Sequence, residues 1–98
     1  QPVHYTGLQR CFSFWNLSWH FVTLTPEDTA EINDLFALEK HGWGSLPVEV
    51  TIGQTTWKTS IFPDSSSDSY VLPIKAEVRK KENLTVGNEI AYTLIVCP

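Results

Sequence analysis

Val48-Glu49-Val50-Thr51-Ile52-Gly53-Gln54-Thr55-Thr56-Trp57-Lys58-Thr59-Ser60-Ile61-Phe62 alternates apolar and polar residues on both sides of a Gly-Gln pair. Alternation with a period of two sends successive side chains to opposite faces of a strand. A glycine at the first position of a two-residue loop is the signature of a type II′ turn. The stretch therefore predicts a β-hairpin in which Ile52 faces Thr55, Val50 faces Trp57 and Glu49 faces Lys58. One face then carries Val48, Val50, Ile52, Trp57 and Thr59. The other carries Glu49, Thr51, Thr56, Lys58 and Ser60. An opposite-charge pair and an aromatic–β-branched pair fall on matching faces, each contributing about 0.2–1 kcal/mol. A slip of one residue would lose both.

Working outward, Glu89 to Cys97 reads as a strand with Ile90, Tyr92, Leu94 and Val96 on one face. Its other face, Ala91, Thr93, Ile95 and Cys97, is also mainly apolar, which predicts a central strand or a barrel wall. Upstream, Cys11 to Leu24 alternates Phe12, Phe14, Trp15, Leu17, Trp19, Phe21, Val22 and Leu24, predicting strands with a bend around Asn16–Ser18. Thr25-Pro26-Glu27-Asp28 is a helix start, with a capping hydroxyl, a proline at the first position and acidic residues at the positive end of the dipole. Ile32, Leu35, Phe36 and Glu39 follow at helical spacing, Leu38 widens the apolar stripe, and Lys40-His41-Gly42 should end the helix. Downstream of the hairpin, Asp64 to Ser69 is a serine-rich exposed loop. Ser69 to Leu72 is a short strand ended by Pro73. A second helix is predicted from Pro73 to Glu82, with Ile74 and Val78 inward, followed by a turn at Asn83–Asn88 in which Gly87 takes a positive φ.

The predicted fold is mainly β with α: a small closed Greek-key β-barrel of about six strands, with one longer helix and one short helix. The 98 residues make one domain, 1–98, too short for two independent cores. A net charge of −4 excludes a globally basic nucleic-acid binder but leaves room for a local basic patch. No apolar run approaches the ~20 residues of a membrane span, and no signal-peptide layout opens the chain, so the expected location is cytoplasmic, away from membranes. With no methionine present, Gln1 is not expected to be the natural start. Asn16-Leu17-Ser18 and Asn83-Leu84-Thr85 match the glycosylation tripeptide, expected to be coincidental in that compartment. Cys11 and Cys97 are expected to be reduced there; they approach one another only if the first and last strands are neighbours. With His4, His20 and His41 they show no metal-ligand spacing.

Two features carry chemistry. Lys75, Arg79, Lys80 and Lys81 hold four of the seven basic residues. On a helix, Lys75 and Arg79 would share a face at i, i+4 and grip one anion together. The alternatives are a solvated face neutralised by Glu77 and Glu82, a phosphate or nucleic-acid patch, and an acidic protein surface. Trp43, between two glycines, and Trp57 on the hairpin are either core residues or the floor of a small-ligand pocket, with Lys58, Thr59, Ser60 or Arg79 as its polar groups. Ser60 and Thr59 have no evident base, and neither a nucleophile elbow nor a phosphate-cradling glycine loop is present. His20, flanked by Trp19 and Phe21, is expected on the side opposite to them. No enzyme activity, cofactor or metal is expected.

Gly42-Trp43-Gly44-Ser45-Leu46-Pro47-Val48-Glu49-Val50-Thr51-Ile52-Gly53, Thr56-Trp57-Lys58-Thr59-Ser60-Ile61-Phe62-Pro63, Tyr70-Val71-Leu72-Pro73-Ile74-Lys75, Val78-Arg79-Lys80 and Leu84-Thr85-Val86-Gly87-Asn88-Glu89-Ile90, in this order, resemble the DUF1905 family, small bacterial and archaeal proteins of unknown function. The resemblance spans about Trp19 to Val96 and implies a small Greek-key barrel with a packed helix. Members also occur fused to a domain named for bacteriocin protection. A looser likeness links Leu72-Pro73, Arg79, Leu84, Gly87 and Glu89-Ile90 to the DNA-binding barrels of antitoxins and transition-state regulators. The expected function is thus a non-enzymatic ligand-binding or protein-interaction module, with Trp43, Trp57, Lys58, Ser60, Lys75 and Arg79 as candidate ligand-binding residues. Its partner would be a small anionic ligand or an acidic protein. The alternative is a dimeric nucleic-acid-binding barrel using Lys75, Arg79, Lys80 and Lys81.

Overall fold

The computed structural model describes residues 4–10, 12–13, 20–36, 44–64 and 68–97. Its strands are β1 (His4–Arg10), β2 (Phe12–Ser13), β3 (His20–Thr23), β4 (Leu46–Ile52), β5 (Thr55–Asp64), β6 (Ser69–Ile74) and β7 (Glu89–Val96), with helices α1 (Pro26–Leu35) and α2 (Ala76–Glu82). Six strands have four residues or more, and β2 is a two-residue pairing at the sheet's end. Every ladder is antiparallel, and the strands lie in the order β1-β7-β4-β5-β6-β3-β2. After the β4-β5-β6 meander the chain returns to lay β7 beside β4, a Greek-key connection.

The hairpin has the predicted register: Ile52 opposes Thr55, Val50 opposes Trp57 and Glu49 opposes Lys58. Gly53 has φ +58° while Gln54 keeps a negative φ, which makes the turn type II′. The Glu82 carboxylate sits where a side chain on Gly53 would begin, and it accepts a 2.6 Å hydrogen bond from the Thr55 hydroxyl. Glycine is therefore favoured at this turn by its backbone angle.

The expected closed barrel is an open half-barrel. β1 and β2 terminate the sheet, and each pairs on one side only among the described residues. Helix α1 lies across the concave mouth in place of further pairing. Thr25 caps it by accepting from Asp28 N–H at 3.1 Å, and Pro26 occupies the first turn as predicted. On one side, the Tyr70 N–H and hydroxyl of β6 donate to Thr29 Oγ1 (3.3 Å) and Asn33 Oδ1 (2.9 Å). On the other, Asp28 and Glu31 come within electrostatic reach of the Tyr5 and Tyr92 phenols of β1 and β7. Ile32 enters the core between them, fully buried. The helix ends at Leu35, which is exposed rather than inward, and Phe36 packs part-buried against the core. The predicted stop at Lys40-His41-Gly42, and Leu38 before it, lie outside the described residues.

β1 was not anticipated from the sequence. It pairs with β7 from His4–Ile95 to Arg10–Glu89. Gly7 opposes Tyr92, and the phenol ring covers it: a side chain there would meet Tyr92 Cζ at 2.6 Å. An aromatic ring laid over a strand glycine repairs the missing side chain from across the ladder. β1 and β7 are neighbours but antiparallel, so Arg10 lies at the Glu89 end whereas exposed Cys97 lies beyond Ile95. Cys11 itself is outside the described residues.

β7 is central between β1 and β4, with Ile90, Tyr92, Leu94 and Val96 buried. Its second face differs from expectation. Ala91 and Cys97 are exposed and Thr93 and Ile95 half-buried, because the convex side of a half-barrel has no second layer over it among the described residues.

The largest local correction concerns Pro73, which ends no strand and starts no helix. It lies inside β6, opposite Phe21. Leu24 N–H bonds to Tyr70 O at 2.9 Å, so even-numbered residues of β6 address β3 and odd-numbered ones address β5. The β5 ladder stops at Val71, and Pro73, the next residue of β6 to address β5, has no N–H with which to continue it, while the β3 ladder runs on to Ile74. α2 then begins at Ala76 after Lys75 in extended conformation, and ends at Asn83 in the left-handed region (φ 55°). Gly87 has φ +92°, as predicted. No described helix is long and apolar enough to cross a membrane.

Candidate functional site

β5 pairs with β4 along Thr55–Ile61 and with β6 along Phe62–Asp64, where the ladder stops at the residue before Pro73 could donate. Beyond that ladder the strands open toward the start of α2, which packs beside β5. Between them lies a groove of about 540 Å³ lined by Trp57, Lys58, Thr59, Phe62, Pro73, Ile74, Lys75, Ala76 and Arg79. That volume is typical of small-molecule sites. Trp57, Phe62, Pro73, Ile74 and Ala76 give it an apolar floor, and Lys58, Lys75 and Arg79 a cationic rim.

Each rim cation is held differently. Lys58 is exposed opposite Glu49. Lys75 Nζ lies 3.4 Å from Glu77, with both side chains mostly in solvent, so the pair is weak. Arg79 is half-buried; its Nε donates to Ile74 O at 3.2 Å, and Nη1 makes a long 3.5 Å contact with Nε2 of His20. A guanidinium only donates, so Nε2 accepts and the imidazole proton sits on Nδ1. That nitrogen has no hydrogen-bond partner among the described residues. Burial, then the Arg79 charge, holds His20 below the ordinary imidazole pKa, so the ring is neutral at pH 7. The site thus presents positive charge on its rim with a neutral, buried imidazole behind it.

The structure brings Trp57, Lys58, Lys75 and Arg79 together, along with Thr59. Lys75 and Arg79 do so without sharing a helix face, since Lys75 precedes the helix. Ser60 opposes Pro47 and is not part of the groove wall, and Trp43 lies outside the described residues. Lys80 and Lys81 are exposed on α2 away from the groove, so the four basic residues do not form one patch around it. His20, Phe62, Pro73, Ile74 and Ala76 were not foreseen. His20 shares its inward face with Val22 and Leu24 at spacing two, a signal present in the sequence. Its proximity to Arg79 depends on the β3–β6 register, in which His20 opposes Ile74.

A second cleft of about 300 Å³ lies at the other end of the β5–β6 ladder, walled by Asn33, Asp64 and Asp68 among others. It offers carboxylates where the first groove offers cations. Among the described residues no group of three or more side chains is placed to hold a metal ion.

No curated protein matches the chain. The family model for a domain of unknown function, DUF1905, matches residues 13–94, a span that contains every residue lining the groove; the chain belongs to the DUF1905 family.

Proposed function

We propose that the protein is a non-catalytic binding module whose groove takes ligands that join an apolar body to an anionic group. The observation that carries this reading is the groove's composition. Three cations, Lys58, Lys75 and Arg79, ring an apolar floor on a chain whose net charge is −4. Apolar burial supplies affinity and the cations fix orientation, the usual division of labour in such sites.

Anilinonaphthalene sulfonate, an apolar fluorescent anion, tests the reading by titration. The double substitution Lys75→Glu with Arg79→Glu should weaken its binding at least about tenfold, equivalent to 1.4 kcal/mol. The matched substitution Lys80→Glu with Lys81→Glu, equal in charge but away from the groove, should leave it within about twofold. Equal losses in the two double variants would show a response to net charge and refute the site.

A further inference from the structure

His20 and Val22 of β3, and Leu24 just beyond it, are buried. Two of the three are aliphatic, and the third is an imidazole only 8% exposed. Its Nδ1–H has no hydrogen-bond partner among the described residues, a cost that an aliphatic side chain at this position would avoid. Packing alone therefore gives no reason for an imidazole here. The other ring nitrogen supplies one. Nε2 lies 3.5 Å from Nη1 of Arg79, and Arg79 lines the groove. The same guanidinium donates from Nε to Ile74 O at 3.2 Å, and Ile74 is the residue opposite His20 in the β3–β6 ladder. Contacts at two of its three nitrogens fix the plane of a rigid fork as well as its place. Both acceptors, a carbonyl and an imidazole kept neutral by burial and by the Arg79 charge, orient the group without forming an ion pair with it.

We propose, resting on the groove reading above, that His20 is a positioning residue: through Nε2 it holds the Arg79 guanidinium in the orientation that meets the ligand's anionic group. His20 does not itself line the groove, so it acts through Arg79 and not on the ligand. An arginine held before the ligand arrives loses less rotamer freedom on binding, and affinity rises without a new contact. The unpartnered Nδ1–H is the stability given up for that orientation.

The probe is anilinonaphthalene sulfonate, titrated into the whole chain and its variants, with Tm measured for each. His20→Leu removes the acceptor and the unpartnered donor together. It should weaken binding at least about fivefold while Tm stays the same or rises. His20→Gln offers a side-chain oxygen as acceptor in place of Nε2 and should bring binding back to within about twofold of the parent chain. Arg79→Gln should itself weaken binding at least about fivefold, and adding His20→Leu to it should change binding less than about twofold further. Nitrogen-15 shifts of the His20 ring in the unmodified chain at pH 7 should show the proton on Nδ1 and a bare Nε2. A ring protonated at Nε2 overturns the proposal even if no variant folds. A fall in Tm for His20→Leu, a loss that His20→Gln does not restore, or one that persists beside Arg79→Gln marks a structural role and overturns it too. Weaker binding in Arg79→Gln with none in His20→Leu overturns positioning and leaves the groove reading standing. Unchanged binding in Arg79→Gln overturns the two readings together.

Discussion

Replacing Ile32 with alanine is expected to cost about 3 kcal/mol of stability, within the range of about 2–5 kcal/mol for emptying a large aliphatic site in a core. In a chain of this size that lowers Tm by about 12–24 °C. The expectation follows from the position of α1. The half-barrel does not close by strand pairing among its described strands, so its concave side depends on the helix, and Ile32 is the helix residue that is fully buried in the core. The flanking polar contacts, Thr29 and Asn33 to Tyr70, hold the helix in place but shed little water-exposed apolar surface. Leu35→Ala, three residues later on the same helix, removes a side chain that is 54% exposed and should cost no more than about 0.5 kcal/mol. Thermal unfolding of the two variants checks the contrast. Similar losses would mean that α1 does not seal the sheet through Ile32.

Alkaline conditions should unfold the protein by a defined route. Tyr92 is buried, its hydroxyl has no hydrogen-bond partner among the described residues, and Asp28 faces it. Burial first and the Asp28 charge second push its pKa from 10.0 up to about 12. The folded state therefore holds the phenolic proton more tightly than the unfolded chain. Its stabilising contribution is complete below pH 10 and is lost progressively between pH 10 and pH 12. Two units correspond to about 2–3 kcal/mol. Tyr5, pushed in the same direction by burial and by Glu31 and Asp28, adds to the loss. Urea unfolding at pH 8 and pH 11.5 should show the drop, and Tyr92→Phe should reduce it by up to about half, Tyr5 carrying the remainder. The same substitution removes a buried hydroxyl without a partner, so stability at pH 8 should be unchanged or higher. An undiminished drop in Tyr92→Phe would contradict this account.

What was legible in the sequence was local. The Gly53-Gln54 turn with its charged and aromatic cross-strand pairs sets the hairpin register without reference to the rest of the chain. Thr25 and Pro26 set the start of α1 in the same way. β1 escaped notice because Tyr5 is its one core side chain, and Gly7 is covered from the neighbouring strand, which no spacing rule detects. Pro73 misled for a related reason. Proline is a strong punctuation mark, but here it stops only the ladder to β5, and the ladder to β3 carries β6 on to Ile74. The site was half legible. Trp57, Lys58, Lys75 and Arg79 stand out by residue type, whereas the groove that unites them lies between β5, the end of β6 and the start of α2, a property of three elements at once. Ser60 was chosen for its hydroxyl, but it is not among the residues that line the groove.

The central claim is that the groove between β5, the end of β6 and the start of α2 is where this protein binds, and its most direct test is a residue-by-residue map. Isotope-labelled protein titrated with anilinonaphthalene sulfonate should show its largest amide shifts at Trp57, Lys58, Thr59, Phe62, Ala76 and Arg79, with Asn33, Asp64 and Asp68 unmoved. Shifts centred on the acidic cleft, or a groove that stays silent while the dye binds elsewhere, would contradict the account.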